Sequence, residues 1–274
     1  MKPSRGIIFL QALRKDTLNW NINAASKALR AQIAVKVVII AAFSISLGVF
    51  VRLTQNITGG VPMNNQPVRY RIRFSKKGSL RFVGHIDLQT LIERALRRSG
   101  LPIRYSQGFN PKPRLNLASA LPLGFISECE LADIYLNNTL STTIILQKLN
   151  AALPTDVRVL EVFLLDNSLP SLQSSLLSSR FRVRFDPQED IDLIKSNLVK
   201  LLAREEICVE RRRKVVDIKP FILETNWLSM PEAALELTLS ATPNASSRPD
   251  EILPLIGVDP TTCLVERVDM TFKP

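Results

Sequence analysis

The chain has 274 residues, of which 46% are hydrophobic and 22% are charged, and its formal net charge is +11. This composition is typical of a globular protein and excludes a largely disordered or collagen-like chain. Three cysteines without a Cys-x-x-Cys spacing and a single histidine predict no zinc site, no iron–sulfur cluster and no other cofactor held by this chain alone.

The positive charge is concentrated in one part of the chain. Residues 63–114 contain twelve Lys and Arg residues against two acidic residues, whereas residues 115–274 contain sixteen against twenty-two. A regional excess of this kind is typical of a surface that binds a polyanion. We therefore expect the cations of residues 63–114 to form one contiguous surface, with nucleic acid as the first partner class to consider.

The first segment of the chain, residues 1–62, differs from the rest. Residues 31–51 carry one charge, Lys36, and are long enough for a helix that spans a bilayer. The basic residues before them favour a cytoplasmic N-terminus. A second explanation stays open, because Met63 stands just before the globular pattern. Translation could begin at Met63, and residues 1–62 would then result from a start codon assigned too far upstream. The first explanation predicts a single-pass membrane protein, and the second predicts a cytoplasmic one.

The globular pattern begins at residue 67 and predicts a first unit over residues 67–166. Residues 68–76 alternate between apolar and basic side chains as a strand does, and the next apolar residues follow helical spacing up to Gly100. The predicted elements are strands at 68–76, 130–136 and 157–165, a further strand beside the 104–125 connection, and helices at 86–100 and 141–153.

The same order of elements is predicted a second time. A Ser-rich linker at 167–179 is followed by a second unit over residues 180–274, which begins with the alternating stretch "RFRVRF". Its predicted elements are strands at 180–185, 207–224, 233–241 and 262–272, and helices at 189–206 and 248–256. Both units read β-α-β-β-α-β. We therefore predict an α+β protein of two tandem ferredoxin-like units, each with an antiparallel sheet and helices on one face, preceded by an N-terminal apolar helix.

The connection at residues 104–125 has an unusual composition, with two glycines, three prolines and no acidic residue. Proline restricts the backbone of this connection, and glycine permits backbone angles that other residues avoid, so we expect a rigid loop. Cations would project from this loop beside aromatic rings that can stack on bases. The alternative is that Tyr105 and Phe109 are core residues and the cations form a solvated rim. The predicted RNA-binding or substrate-binding residues are Arg81, Arg94, Arg104, Tyr105, Ser106, Gln107, Gly108, Phe109, Asn110, Lys112 and Arg114.

A second motif, "RFVGHID" at residues 81–87, places His85 where a strand leads into a helix. Free N–H groups at a helix N-terminus favour an anion, and a neutral imidazole can act as a general base or acid. Asp87 would orient the ring or cap the helix. The alternative is a structural histidine.

Two further groups of charged residues are less specific. Arg211, Arg212, Arg213 and Lys214 follow one another on a predicted strand, so half of them face away from any one partner, and a solvated sheet edge is the alternative. Glu128, Glu130 and Asp133 are predicted to pair with the arginines of the 104–125 connection, without forming a metal site.

The run "RFVGHIDL…ERALRRSGLPIRYSQGFNPKPRLNLASALPLGFISECELADI" from Arg81 to Asp133 resembles the radical-SAM-associated domain of unknown function, as does "VDIKP" at 216–220. That domain occurs alone or at the C-terminal end of cobalamin-binding radical SAM proteins. The resemblance covers about residues 67–274. The positions that match the family pattern are Gly84, His85, Asp87, Arg94, Ser106, Gly108, Phe109, Asn110, Pro111, Pro113, Leu121, Gly124, Ser127, Glu130 and Asp217.

Three functions follow as hypotheses. The resemblance implies an accessory or substrate-presenting domain for a separate radical SAM enzyme, to which S-adenosylmethionine and the iron–sulfur cluster would belong. The basic first unit and the 104–125 connection favour RNA as what it binds or presents. A second hypothesis is a metal-independent endoribonuclease, similar to tandem ferredoxin-like enzymes that process CRISPR repeats, with His85 as base and Arg104, Lys112 and Arg114 as its cationic cradle. The third is a protein-interaction module that binds no nucleic acid.

Overall fold

The computed structural model describes residues 66–229 and 233–273 of the chain. The predictions for residues 1–62, including the apolar helix at 31–51 and its membrane contact, lie outside the described residues. Within the described ranges, the helices are all too short or too polar to cross a bilayer.

The described elements follow the predicted order closely, with several additional short pieces. The strands are β1 (Val68–Lys76), β2 (Leu115–Leu117), β3 (Ile126–Leu136), β4 (Val157–Leu165), β5 (Leu176–Arg184), β6 (Cys208–Arg211), β7 (Lys214–Asp217), β8 (Ile222–Trp227), β9 (Ala234–Thr242), β10 (Ala245–Ser246) and β11 (Leu264–Phe272). The α-helices are α1 (His85–Arg98), α2 (Thr142–Ala152), α3 (Leu172–Ser175), α4 (Ile191–Leu202) and α5 (Pro249–Ile252). Short 3₁₀ turns lie at Gly78–Phe82, Lys219–Phe221 and Leu253–Ile256.

Nine of these strands form one large sheet, which confirms the α+β class. The order is β10-β9-β5-β11-β3-β1-β4, with β2 also paired to β3 and β8 also paired to β9. The prediction of two separate sheets is wrong, because β11 pairs in parallel with the start of β3 and joins the two halves. The other strand pairs among the described residues are antiparallel.

The predicted strand at 207–224 is wrong in detail. The chain instead turns back on itself as the separate β6–β7 hairpin and then enters β8. Arg212 and Arg213 form the two-residue turn, with φ angles of 48° and 68°, and two left-handed residues are what a tight hairpin of this length requires. A run of four basic residues gave no turn signal, because Gly and Asn usually occupy such positions.

Each half of the sheet buries its own group of apolar side chains. In the first half, alternate residues of β1 pack against the apolar stripes of α1 and α2; the main contributors are Tyr70, Ile72, Phe74, Leu88, Ile92, Leu96, Ile145 and Leu149. In the second half, β5, β9 and α4 do the same through Phe181, Val183, Leu235, Leu237, Ile194 and Leu198. The period of two along the strands and of about 3.6 along the helices explains both clusters.

The end of the 104–125 connection belongs to the second cluster although it lies in the first half of the sequence. Leu121 and Phe125 are buried there, and the Phe125 and Phe181 rings meet edge to face with centroids 6.3 Å apart. The two halves therefore share apolar packing as well as a sheet.

Candidate functional site

Cations of β1 are largely internal. Arg69 and Arg71 are buried and both bind one carboxylate, Asp133 of β3, with Nε–oxygen distances of 3.0 and 2.8 Å. Arg73 donates to the Glu128 carbonyl oxygen and pairs with Glu161. The expectation of one contiguous surface made by all cations of residues 63–114 is therefore wrong for β1, and the Asp133 carboxylate binds the β1 arginines instead of the arginines of the 104–125 connection.

The end of β1 is stabilised by a buried lysine. Lys76 donates from Nζ to the carbonyl oxygens of Val83 at 2.8 Å and Arg81 at 3.2 Å. Burial lowers the pKa of Lys76, an effect that nearby Glu130 partly offsets. The lysine thus fixes the segment that leads into α1. Its neighbour Lys77 is exposed and pairs with Glu128, so Glu128 also does not serve the loop arginines.

His85 is the first residue of α1, directly after the N-cap residue Gly84, and is partly buried. Its Nδ1 atom is buried and has no hydrogen-bond partner among the described residues. Asp87 is exposed, and within the described ranges no hydrogen bond joins it to His85. The geometry therefore does not include the predicted orienting contact between Asp87 and the imidazole ring.

Asp87 instead lines an open groove of about 590 Å³ beside α1. Arg94 and Arg98 line the same groove, which is closed on its other side by residues 152–154. Arg98 donates to the Ala152 carbonyl oxygen at 2.8 Å. Asp87 and Arg94 thus line the same groove, whose lining does not include His85.

The first part of the 104–125 connection is a narrow hairpin that projects from β3. Two backbone hydrogen bonds of 2.8 Å cross it, from Ser106 to Lys112 and from Arg114 to Arg104. The Ser106 hydroxyl accepts a third from the Lys112 amide at 3.0 Å. Arg104 donates from its backbone to Tyr135 of β3. We call residues 104–114 the hairpin loop.

The aromatic side chains of the hairpin loop face solvent. Phe109 at its tip is fully exposed, with a relative accessibility of 105%, and Tyr105 is 41% exposed. The alternative that they are core residues is therefore wrong. Gly108, with a φ of 139°, adopts a backbone conformation that other residues rarely accept, and this positions the tip. Ser106, Gln107 and Asn110 are also exposed.

The three cations of the hairpin loop keep their charge unneutralised. Arg104 donates to the Asn137 side-chain oxygen at 3.3 Å. The Arg114 guanidinium carbon lies 4.4 Å from the centroid of the Tyr135 ring. Lys112 is exposed. Across the described part of the chain, none of the three forms a salt bridge with a carboxylate.

The hairpin loop and His85 lie at opposite ends of β1. The loop is bonded to Tyr135, which pairs with Arg69 near the start of β1, whereas Lys76 at the other end holds the segment before His85. The first and last of the nine residues of β1 are eight steps apart, which is about 26 Å at roughly 3.3 Å per step. The cradle predicted for a nuclease, with His85 beside Arg104, Lys112 and Arg114, is therefore not assembled.

Three exposed apolar side chains lie near His85, and sequence reasoning missed them. Phe82, Ile86 and Leu123 are 62%, 78% and 64% exposed. The Gly124 amide donates to the Arg81 carbonyl at 2.9 Å and brings Leu123 towards this end of the sheet. Arg81 lies over the Phe82 ring, with 4.6 Å between the guanidinium carbon and the ring centroid. We call Phe82, Ile86 and Leu123 the apolar patch.

The arginine run after β6 has mixed surroundings. Arg211 binds Glu251 and donates to the Ser246 carbonyl oxygen at 2.7 Å, while Arg212 and Arg213 form the exposed turn. Asp217 of the "VDIKP" motif accepts from the Ile207 and Lys219 amides, and these bonds lower the pKa of its carboxyl group. Its contacts are those of a residue that holds the base of the β6–β7 hairpin.

The junction between the halves contains a second buried ion pair that the sequence did not reveal. Arg267 of β11 binds both carboxylate oxygens of Glu130 at 3.1 and 3.2 Å and donates to the Ala120 carbonyl at 2.7 Å. Ser127 donates to the Arg267 carbonyl oxygen. Glu130 thus does not pair with the hairpin loop. The sequence did contain one signal of this burial, because Arg267 lies two residues after the apolar Val265 and therefore on the same face of the strand.

Across the described ranges, no cluster of three or more His, Cys, Asp or Glu side chains is placed to hold a metal ion. The thiol of Cys129 is buried, and burial raises its pKa to about 12, so it remains protonated at neutral pH.

Comparison with known proteins identifies one family. Residues 69–249, about two thirds of the chain, match the family described as "Uncharacterized protein conserved in bacteria (DUF2344)". Among curated proteins, none matches this sequence. The matched range contains the hairpin loop, the His85 segment and the apolar patch.

Proposed function

This chain belongs to the family of uncharacterized proteins conserved in bacteria (DUF2344), and we propose that it binds RNA through the hairpin loop. In this proposal it is a cytoplasmic accessory protein that presents RNA, or another substrate, to a separate radical SAM enzyme. S-adenosylmethionine and the iron–sulfur cluster belong to that partner. The observation that carries the proposal is the fully exposed Phe109 at the tip of a braced, cationic loop.

The exposure of Phe109 supports a binding role. A phenylalanine ring in water gains nothing for folding, while burying a ring against a partner is strongly favourable. The hydrogen bonds across the loop brace the backbone that carries Phe109 before binding, which reduces the entropy lost on association. Every base has a face on which such a ring can stack, and each stacked base contributes roughly 1–3 kcal/mol.

The charge of the hairpin loop selects among partners. Arg104, Lys112 and Arg114 stand beside the two exposed rings without carboxylate partners among the described residues. Cations next to stacking rings are the usual combination for single-stranded nucleic acid. Unlike the paired arginines of β1, these three side chains are available to bind phosphates.

The order of the strands in the sheet leads us to propose that the two halves are tandem ferredoxin-like units. The first half has the strand order β4-β1-β3 with β2 on the far end of β3, and the second has β11-β5-β9 with β8 on β9. Two helices accompany each half. This arrangement is what a tandem pair of ferredoxin-like units requires, with the β6–β7 hairpin as an insertion.

The proposal is tested by measuring the affinity of the protein for an RNA with single-stranded loops over a series of salt concentrations. We expect the logarithm of the binding constant to fall linearly with the logarithm of the salt concentration. The Lys112→Ala variant should bind RNA more weakly, and the slope should become less steep by about the amount that one phosphate contact contributes. The matched control Lys200→Ala, which alters a lysine of α4 in the second half, should leave the slope unchanged. Equal slopes for both variants, or no binding by the wild type, would reject the proposal.

A second candidate function is a protein-interaction module, and the apolar patch favours it. Phe82, Ile86 and Leu123 expose large side chains at the end of the sheet opposite the hairpin loop, and several large apolar side chains exposed in one region are typical of protein contacts. A partner enzyme docked there would leave the loop free. Ile86→Ser should then abolish binding of that enzyme while RNA affinity stays at the wild-type value. Loss of both, or of neither, would contradict separate sites.

The endoribonuclease hypothesis is the least favoured of the three. His85 and the loop cations lie at opposite ends of β1, a strand that spans about 26 Å at roughly 3.3 Å per step. It stays a prediction with a simple test: a wild-type protein that cuts RNA and a His85→Ala protein that only binds it would revive the hypothesis.

A further inference from the structure

A small pocket of about 230 Å³ lies where the 119–122 segment of the first half meets β5, β9 and β10 of the second. Its walls include Phe181 and the buried residues Ser179, Ser247 and Arg267, and Arg248 stands beside them. It is distinct from the hairpin loop, the apolar patch and the groove beside α1. We propose that this pocket binds a small oxyanion, through a carboxylate or phosphate group.

Three buried polar atoms without partners are concentrated around this pocket. Ser179, Ser247 and Arg267 are 2%, 5% and 3% exposed, and Ser179 Oγ, Ser247 Oγ and Arg267 Nε have no hydrogen-bond partner among the described residues. Leaving a buried donor unpaired costs roughly 1–3 kcal/mol, and most buried polar groups are therefore satisfied. A cluster of three at one pocket is explained if a ligand completes their hydrogen bonds.

The chemistry of these atoms determines the class of ligand. Arg267 Nε can only donate, so its partner must be an acceptor. Both serine hydroxyls can donate as well, which gives three donors and no obligatory acceptor. Carboxylate and phosphate groups are the acceptors that bind such sets most strongly. The Phe181 ring forms an apolar wall, consistent with a ligand that carries carbon atoms behind its charged group.

The charges around the pocket permit an anion. Arg267 remains paired with Glu130, but both of those contacts use Nη1 and leave Nε free. Arg248 is 55% exposed and pairs with Asp250 and Glu251 at 3.4 and 3.5 Å, distances that indicate weak contacts. Its guanidinium can therefore turn towards an anion without breaking a tight ion pair.

The test is the melting temperature of the full-length protein in inorganic phosphate or acetate, against sodium chloride of equal ionic strength. Ligand linkage predicts a melting temperature that rises with the logarithm of the anion concentration and has increased by roughly 5–10 °C at 100 times the dissociation constant, for a protein of this size. The Ser179→Ala, Ser247→Ala double variant should lose this rise. Whichever anion acts identifies the group that the pocket prefers.

A matched control is Ser175→Ala, because Ser175 is also buried but its hydroxyl already donates to carbonyl oxygens of Ser171 and Leu172. Without added anion, the double variant should melt no lower than the wild type, whereas Ser175→Ala should melt lower and keep the anion-dependent rise. Three results would overturn the proposal. They are no rise with either anion beyond that in sodium chloride, an equal rise in the double variant, or a double variant destabilised without ligand, which would mean that ordered water alone satisfies the serines.

Discussion

Individual arginines in this protein have opposite roles although their sequence surroundings look alike. In β1, Arg69 and Arg71 alternate with apolar residues and are neutralised by Asp133. In the hairpin loop, Arg104 and Arg114 contact an amide oxygen and an aromatic ring and keep their net charge. Whether a cation is available to a partner therefore depends on which acidic residue the strand register places beside it.

At the scale of a single residue, Phe109→Ala separates binding from folding. Because the ring is fully exposed, its removal should change the free energy of unfolding by less than about 0.5 kcal/mol. The loss of a stacking platform should weaken RNA binding by roughly 1–3 kcal/mol, which corresponds to about 5–150-fold. Urea denaturation and fluorescence anisotropy with a labelled RNA measure the two quantities.

The control for this variant is Val215→Ala, which removes an apolar side chain that is 73% exposed on β7. It should alter neither the free energy of unfolding nor the affinity for RNA. If Phe109→Ala bound RNA as tightly as this control, stacking on the loop tip would be excluded.

At the scale of the secondary-structure elements, neighbouring strands supply the acidic residues that neutralise the arginines of β1. β3 supplies Asp133 between Arg69 and Arg71, and β4 supplies Glu161 to Arg73. The second half repeats the arrangement, since Arg182 and Arg184 of β5 pair with Glu236 of β9 and Glu266 of β11. The alternating arginines of both central strands are thus part of sheet pairing rather than of a nucleic-acid surface.

At the scale of the element, Asp133→Asn tests this structural role. The substitution leaves two buried guanidinium groups without a counter-charge, and removing one member of a buried ion pair costs roughly 3–5 kcal/mol. The free energy of unfolding in urea should fall by that amount. The exposed pair between Lys77 and Glu128 provides the comparison, because Lys77→Gln should cost less than about 1 kcal/mol. Similar losses for both variants would show that Asp133 is not the centre of the pairing.

Considered as a whole, the molecule joins its two halves by three kinds of contact. β11 pairs with β3, Leu121 and Phe125 enter the second apolar cluster, and Arg267 binds Glu130. Leu121, Gly124, Ser127 and Glu130 were singled out by resemblance to a family pattern, and all four lie in or beside this junction. Their surroundings indicate a role in joining the halves.

This coupling predicts that both halves unfold together. Hydrogen exchange in increasing urea should give β1 and β5 amides the same free energy of opening, within about 1 kcal/mol, because exchange from the most protected elements reports global unfolding. A β5 that opens well below the free energy measured for β1 would instead indicate two independently folding units.

Sequence patterns predicted the described elements better than the way they are assembled. β4 was predicted at residues 157–165 and lies there, because alternation and flanking turn residues report local structure. The β11–β3 pairing could not be predicted, since register and strand order depend on contacts between distant residues. The exposure of Phe109 was left open for the same reason: apolar character does not tell on which side of a hairpin a ring lies.

Photocrosslinking of a bound RNA that carries 4-thiouridine identifies the protein residues next to its bases. If the hairpin loop binds RNA, mass spectrometry should find the crosslinks in the peptide that contains Tyr105 and Phe109, and Phe109→Ala should lose most of them. Crosslinks confined to the β6–β7 hairpin with its exposed Arg212 and Arg213, or to the groove beside α1, would contradict the proposed interface.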